Sequence, residues 1–114
     1  MCGISGIISN NLSDKNLEDF IDKIGRVLKH RGPDQYGKFI HKNIALSHNR
    51  LSIIDIEGGA QPMLDEDKEN VIIYNGEIYN NASLKALLQR QGFKFKSDHS
   101  DTETILLLFK KYKT

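Results

Sequence analysis

The sequence lacks most of the features that would place it outside the soluble globular class. Cys2 has no second cysteine to pair with, which excludes an internal disulfide framework and fits a reducing compartment. Charge of one sign is not in excess. Sixteen lysines and arginines meet fifteen aspartates and glutamates, and the net +1 gives no reason to expect nucleic acid or a membrane surface as partner. The longest apolar run, Ile105 to Phe109, is far too short to cross a bilayer. No basic-then-apolar leader opens the chain, and no repeat or low-complexity segment interrupts it. With 39% hydrophobic and 27% charged residues over 114 positions, a single soluble, cytoplasmic domain with a real core is expected.

What is present concentrates at the start. Cys2 stands directly behind Met1 and ahead of Gly3 and an apolar run. A small residue at position 2 permits removal of Met1, after which thiol and free α-amine belong to one residue. An α-amine titrates near about 7.7–8.0 and a thiol near about 8.5, so nucleophile and base are closely matched around neutrality. A terminal amine activating its own side chain is a recognised way to arm a weak nucleophile. The bland alternative is a small buried apolar residue.

Along the chain, Gly3 to Ser9 is mostly β-branched and small, and predicts a terminal strand that would hold Cys2 rigidly. Ser13 or Asp14 can cap a helix whose apolar face carries Leu17, Phe20, Ile21, Ile24, Val27 and Leu28, with Gly25 a mild local cost. It should end near His30, because Gly32-Pro33 cannot continue it. Tyr36 to His41 and Ile44 to His48 predict two strands joined at Lys42-Asn43, and Val71 to Tyr74 a third leading into Asn75-Gly76. Asn80 or Asn81 can cap a second helix with Leu84, Leu87 and Leu88 inward and Gly92 ending it. Phe93 to Phe95 suggests a short strand, and Ser100-Asp101-Thr102-Glu103 a capping box opening a third helix. The hairpin-like spacings favour antiparallel pairing in an α+β chain.

Cys2-Gly3-Ile4 with Gly6, His30-Arg31-Gly32-Pro33-Asp34, Arg50-Leu51-Ser52-Ile53-Ile54-Asp55, Gly59-Ala60-Gln61-Pro62, Asn75-Gly76-Glu77-Ile78-Tyr79-Asn80 and Ser100-Asp101 follow one another in this order. Together they resemble the N-terminal glutaminase domain of glutamine-hydrolysing asparagine synthetases, a class II glutamine amidotransferase and N-terminal-nucleophile hydrolase. The resemblance spans residues 1–114, read as one domain. It implies an αββα sandwich with antiparallel sheets, expected to be incomplete in this chain and to leave apolar sheet surface uncovered.

By that resemblance Cys2 is the catalytic nucleophile, while the Asn75 side-chain amide and the Gly76 N–H bind the oxyanion. Asn-Gly between apolar strands is also the strongest short hairpin signal, and the two readings are compatible. Free glutamine is a zwitterion. The planar fork of Arg50 suits its α-carboxylate, Asp101 its α-ammonium, and Glu77 a second contact. Without the resemblance, Arg50 reads as a surface arginine and Asp101 as an acid favoured in a first helical turn. Leu51, Ser52, Ile53 and Ile54 are carried over as pocket-lining backbone. The His30 to Asp34 turn is assigned a structural role near the nucleophile. Asn49 departs from the acidic residue common there, which alters local hydrogen bonding and not the chemistry.

His41, His48 and His99 show no ligand spacing, so no metal site is expected on this chain. No cofactor is expected on it either. ATP and magnesium are implied only for a downstream synthetase domain, whose Ser-Gly-Gly-type pyrophosphate loop these residues do not contain. L-Glutamine and that domain are the implied partners, and a homodimer of the full-length protein stays open. Two alternatives also stay open: a class II amidotransferase feeding a sugar or purine precursor, and an inert domain of the same fold.

Overall fold

A computed structural model describes residues 1–51, 58–98 and 100–113. Strand β1 (Gly3–Ile8) leads through a short loop to helix α1 (Asp14–Val27), followed by a 3-10 turn over Leu28–His30. Strands β2 (Gln35–His41) and β3 (Ile44–Arg50) form a hairpin, and β4 (Met63–Leu64) pairs with β5 (Val71–Ile72). Helices α2 (Asn81–Arg90) and α3 (Asp101–Tyr112) close the described chain. The first sheet has the order β1-β3-β2 and is antiparallel throughout, as is the β4-β5 pair. The chain is therefore α+β with antiparallel sheets. No helix among the described residues is long and apolar enough to cross a membrane.

The period of two along β3 divides the molecule. Ala45, Ser47 and Asn49 face α1, where Leu17 and Ile21 are fully buried with Ala45, flanked by Ile7 and Ile40. Burying each such aliphatic side chain is worth roughly 1.5–3 kcal/mol. Ser13 caps α1 as expected, its Oγ accepting the Asn16 N–H at 3.2 Å. The helix stripe is narrower than its apolar content, since Phe20 and Val27 are exposed. At Gly25 the stripe needs no side chain: the Tyr36 ring lies where a Cβ would be. What reads locally as a cost is the seat of an aromatic, whose Oη donates to Asp22 at 2.9 Å. Asn49 donates from Nδ2 to the Gly25 carbonyl at 3.0 Å, a bond that an aspartate could not make when ionised.

The opposite face of the first sheet carries His48 and Arg50, and the residues flanking β4 and β5 reach it there, Gln61 at Gly37 and Tyr74 at His48. Gly37 on β2 lets the Gln61 backbone approach so closely that a Cβ would overlap the Gln61 carbonyl oxygen. Farther along, Ile4 and Ile8 on this face are 44% and 75% exposed. Helix α3 packs on β4 and β5, and α2 on α3.

Three local expectations fail for physical reasons. The strand before Asn75 covers only Val71–Ile72, and no hairpin ladder crosses Asn75-Gly76. The Tyr74 N–H donates instead to Gln61 Oε1, and the Tyr74 carbonyl lies 3.3 Å from His48 Nε2, so side chains replace ladder partners. Phe93 to Phe95 is not a strand. The Phe93 N–H bonds to the Leu88 carbonyl and the Gly92 N–H to that of Gln89, a Schellman ending of α2 with Gly92 at φ +92°. The capping box is not formed, since Ser100 makes no side-chain capping bond. The Glu103 carboxylate is taken by the Lys96 and Ser97 amides and by the Ser97 hydroxyl, at 2.7–2.9 Å. Asn80 occupies the cap position of α2, also without a side-chain bond.

Candidate active site

At the edge where β1 begins and β3 ends, a cavity of about 530 Å³ is lined by Cys2, Arg50, Leu51, Asn75, Gly76, Glu77 and Asp101, with Gln61, Tyr74 and Thr102 among the remaining walls. Residues 99 positions apart in sequence, from Cys2 to Asp101, share one space. Ser52, Ile53 and Ile54, the other expected lining residues, lie outside the described residues.

Sheet register sets the nucleophile. Gly3 pairs with Asn49 and Ile4 with His48, so Cys2 falls opposite the end of β3, on the His48 and Arg50 face. The Leu51 N–H points at the Cys2 sulfur from 3.4 Å, and the Leu51 carbonyl lies 3.9 Å from it. Cys2 is half-buried and Met1 is 74% exposed. The thiol is thus held inside the cavity rim while the residue before it stands in solvent.

Arg50 is not the surface arginine of the bland reading, being only 6% exposed. Its Nη1 donates to Gln35 Oε1 at 3.1 Å, across the register that pairs the two residues. The turn at Arg31 to Asp34 braces the same strand end. Asp34 N–H donates to the Arg50 carbonyl at 3.0 Å, and a Cβ on Gly32 would overlap the backbone of Asn49 and Arg50. That glycine is required by close approach of backbone.

On the far wall, Asn75 is half-buried and Gly76 exposed. A Cβ on Gly76 would come within 2.6 Å of Tyr74 Oη, so the glycine leaves room for the tyrosine ring beside the loop. Asp101 does occupy a first helical turn, but its Oδ2 also accepts the Ile78 N–H at 3.0 Å. Burial, then the Asp101 and Glu77 carboxylates, push the Tyr74 phenol above its ordinary value and keep it protonated. Burial pulls the His48 pKa below its ordinary value. The hydrogen bond to Tyr74 opposes this and the Arg50 charge adds to it, so the imidazole is neutral. A carbonyl can only accept, which puts the His48 proton on Nε2.

Sequence reasoning assigned no role to Gln61, Tyr74, Thr102 or His48. Gln61 stands within Gly59-Ala60-Gln61-Pro62, and that position is the signal that points to it. Among the described residues no group of three or more His, Cys, Asp or Glu side chains is arranged to hold a metal ion.

A thiol, an amide-bearing loop, a buried arginine and carboxylates around one cavity are the groups that nucleophilic acyl transfer uses. The family model for the glutamine amidotransferase domain matches residues 1–114, and the chain belongs to that family. It is 39% identical over 115 residues to asparagine synthetase [glutamine-hydrolyzing] 1 of Bacillus subtilis (strain 168), covering 99% of this chain and 18% of that protein. The corresponding figures are 41% over 115 residues for asparagine synthetase [glutamine-hydrolyzing] of Zea mays (98% and 19%). They are 38% over 109 residues for asparagine synthetase B [glutamine-hydrolyzing] of Escherichia coli (strain K12) (96% and 19%). The chain thus spans about a fifth of the length of these relatives.

Proposed function

We propose that this chain hydrolyses the side-chain amide of L-glutamine to glutamate and ammonia. The observation that carries the reading is the shared cavity of Cys2, Arg50, Asn75, Gly76 and Asp101. In the first step Cys2 Sγ bonds to the amide carbon. The thiol proton passes to the α-amine of Cys2, freed by removal of Met1, directly or through a water. The carbonyl oxygen becomes an oxyanion, stabilised by the Asn75 side-chain amide and the Gly76 N–H. The α-amine returns the proton to the departing nitrogen, the C–N bond breaks and ammonia leaves. Water then attacks the thioester, releasing glutamate and restoring the thiol.

Arg50 holds the α-carboxylate of glutamine, and Asp101 with Glu77 the α-ammonium. Leu51 supplies backbone to the pocket. The fold is read as an N-terminal-nucleophile hydrolase αββα sandwich. In support, α1 packs on one side of the first sheet, Gln61 and Tyr74 from the segments flanking β4 and β5 touch its other side, and α3 packs on β4 and β5. The ammonia is read as passing to a synthetase domain of the full-length, cytoplasmic protein, where ATP and magnesium drive conversion of aspartate to asparagine.

The test is glutamine hydrolysis by the full-length protein, with aspartate, ATP and magnesium offered together. Glutamate and asparagine should form together. Glutamate without asparagine would redirect the ammonia to a different acceptor, and no glutamate at all would make the domain inert.

A further inference from the structure

We propose that Gln61 is a positioning residue for glutamine hydrolysis, its side-chain amide locking the Asn75-Gly76 loop and the first turn of α3 into one geometry. The proposal rests on the glutaminase reading of the cavity.

Gln61 is held at both ends. Its backbone lies against β2 at Gly37, where only a glycine leaves room for the Gln61 carbonyl. Its side-chain Oε1 accepts the Tyr74 N–H at 2.6 Å, and its Nε2 donates to Thr102 Oγ1 at 3.1 Å. The orientation of the amide follows from its partners, because a backbone N–H can only donate and must face the oxygen. The nitrogen then faces Thr102. Neither a carboxylate nor a thioether offers an acceptor and a donor together.

The anchors matter for where they stand in sequence. Tyr74 immediately precedes Asn75, and Thr102 immediately follows Asp101. One amide therefore ties the residue beside the oxyanion donor to the residue beside the carboxylate assigned to the α-ammonium. Tyr74 is held on its other side by His48, at 3.3 Å from the carbonyl. Both backbone polar groups of Tyr74 are thus fixed by side chains before any substrate arrives. Donors to an oxyanion act through being set in advance, and a misplacement of about 1 Å from outside the reacting centre can cost about a hundredfold in rate. Gln61 acts through Tyr74 and Thr102, not by contact with the reacting atoms.

The experiment compares the full-length, processed protein with its Gln61→Met, Thr102→Val and Thr102→Ser variants. Two rates are measured: steady-state glutamine hydrolysis, and alkylation of Cys2 by iodoacetamide. Gln61→Met should lower kcat by about tenfold or more, yet leave Cys2 alkylation within about twofold, because β1 and Leu51 hold the nucleophile. Thr102→Val should raise KM by about tenfold, and Thr102→Ser, which keeps the hydroxyl, should stay within about twofold of wild type. An unchanged kcat in Gln61→Met would overturn the proposal. Loss of kcat and alkylation together would also overturn it, as general loosening of the fold, and so would equal behaviour of the Val and Ser variants. A wild-type protein that releases no ammonia from glutamine would instead sink the glutaminase reading, before any variant is compared.

Discussion

Asp101 Oδ2 accepts the backbone N–H of Ile78 at 3.0 Å, so the first turn of α3 fastens the chain just after Asn75-Gly76. The same carboxylate lines the cavity where an α-ammonium is read to sit. Asparagine keeps an acceptor for Ile78 and loses the charge, whereas alanine loses both. Asp101→Asn is therefore expected to raise KM for glutamine by about tenfold or more, with kcat nearly kept. Asp101→Ala is expected to lower kcat as well. Steady-state kinetics on the two variants separate binding from loop-holding, and identical profiles would contradict the dual role.

Arg50 is buried at the end of β3, with Gln35 taking one of its donors. Lysine keeps the charge but not the planar fork, so bidentate contact with a carboxylate is lost. Arg50→Lys should raise KM for glutamine by about tenfold, with a smaller change in kcat. Equal KM values in the two proteins would remove Arg50 from substrate recognition.

Much of the framework around these residues was legible in the sequence. The Ser13 cap and the Gly92 ending are local patterns whose partners lie within five residues, and the β2-β3 hairpin zips up from a two-residue turn between His41 and Ile44. The candidate site was legible only through its ordered motifs. The contacts that shape it join segments far apart: 13 residues from Gln61 to Tyr74, 26 from His48 to Tyr74, and 41 from Gln61 to Thr102. No periodicity encodes such pairs. The capping box failed because Glu103 accepts instead from Lys96 and Ser97, seven and six residues back, a pairing that the box pattern does not encode. Gly25 read as a mild local cost because nothing local in the sequence brings the Tyr36 ring against it.

Asn75 faces the cavity from a loop that makes no ladder bonds of its own beyond Ile72. Removing one oxyanion donor typically costs about 2.7–4 kcal/mol, or about 10²–10³ in kcat. Asn75→Ala should show that loss while its thermal unfolding stays near wild type, because the loop is held through Tyr74 and Ile78. A normal turnover number would take the oxyanion role away from Asn75.

His48 is 1% exposed and its pKa is depressed from the ordinary 6.5, with burial the largest cause. The unfolded chain then binds the proton first. Stability is full above about pH 6.5 and declines as pH falls through the depressed value. His48→Gln, which retains a side-chain donor and does not titrate, should flatten that slope between about pH 7 and 5. Denaturant unfolding of the full-length protein at the two pH values reads the difference. Parallel slopes in wild type and variant would show that His48 does not carry the dependence.

The central claim is that thiol and amine act from the same residue, and Met1, 74% exposed, is what separates them. The most direct measurement is ammonia release from glutamine by two forms of the full-length protein, one beginning at Cys2 and one with residues retained ahead of it. Mass spectrometry of each N-terminus confirms which form is assayed. Turnover by the first form and none by the second is the expected result. Equal rates from both would contradict the mechanism.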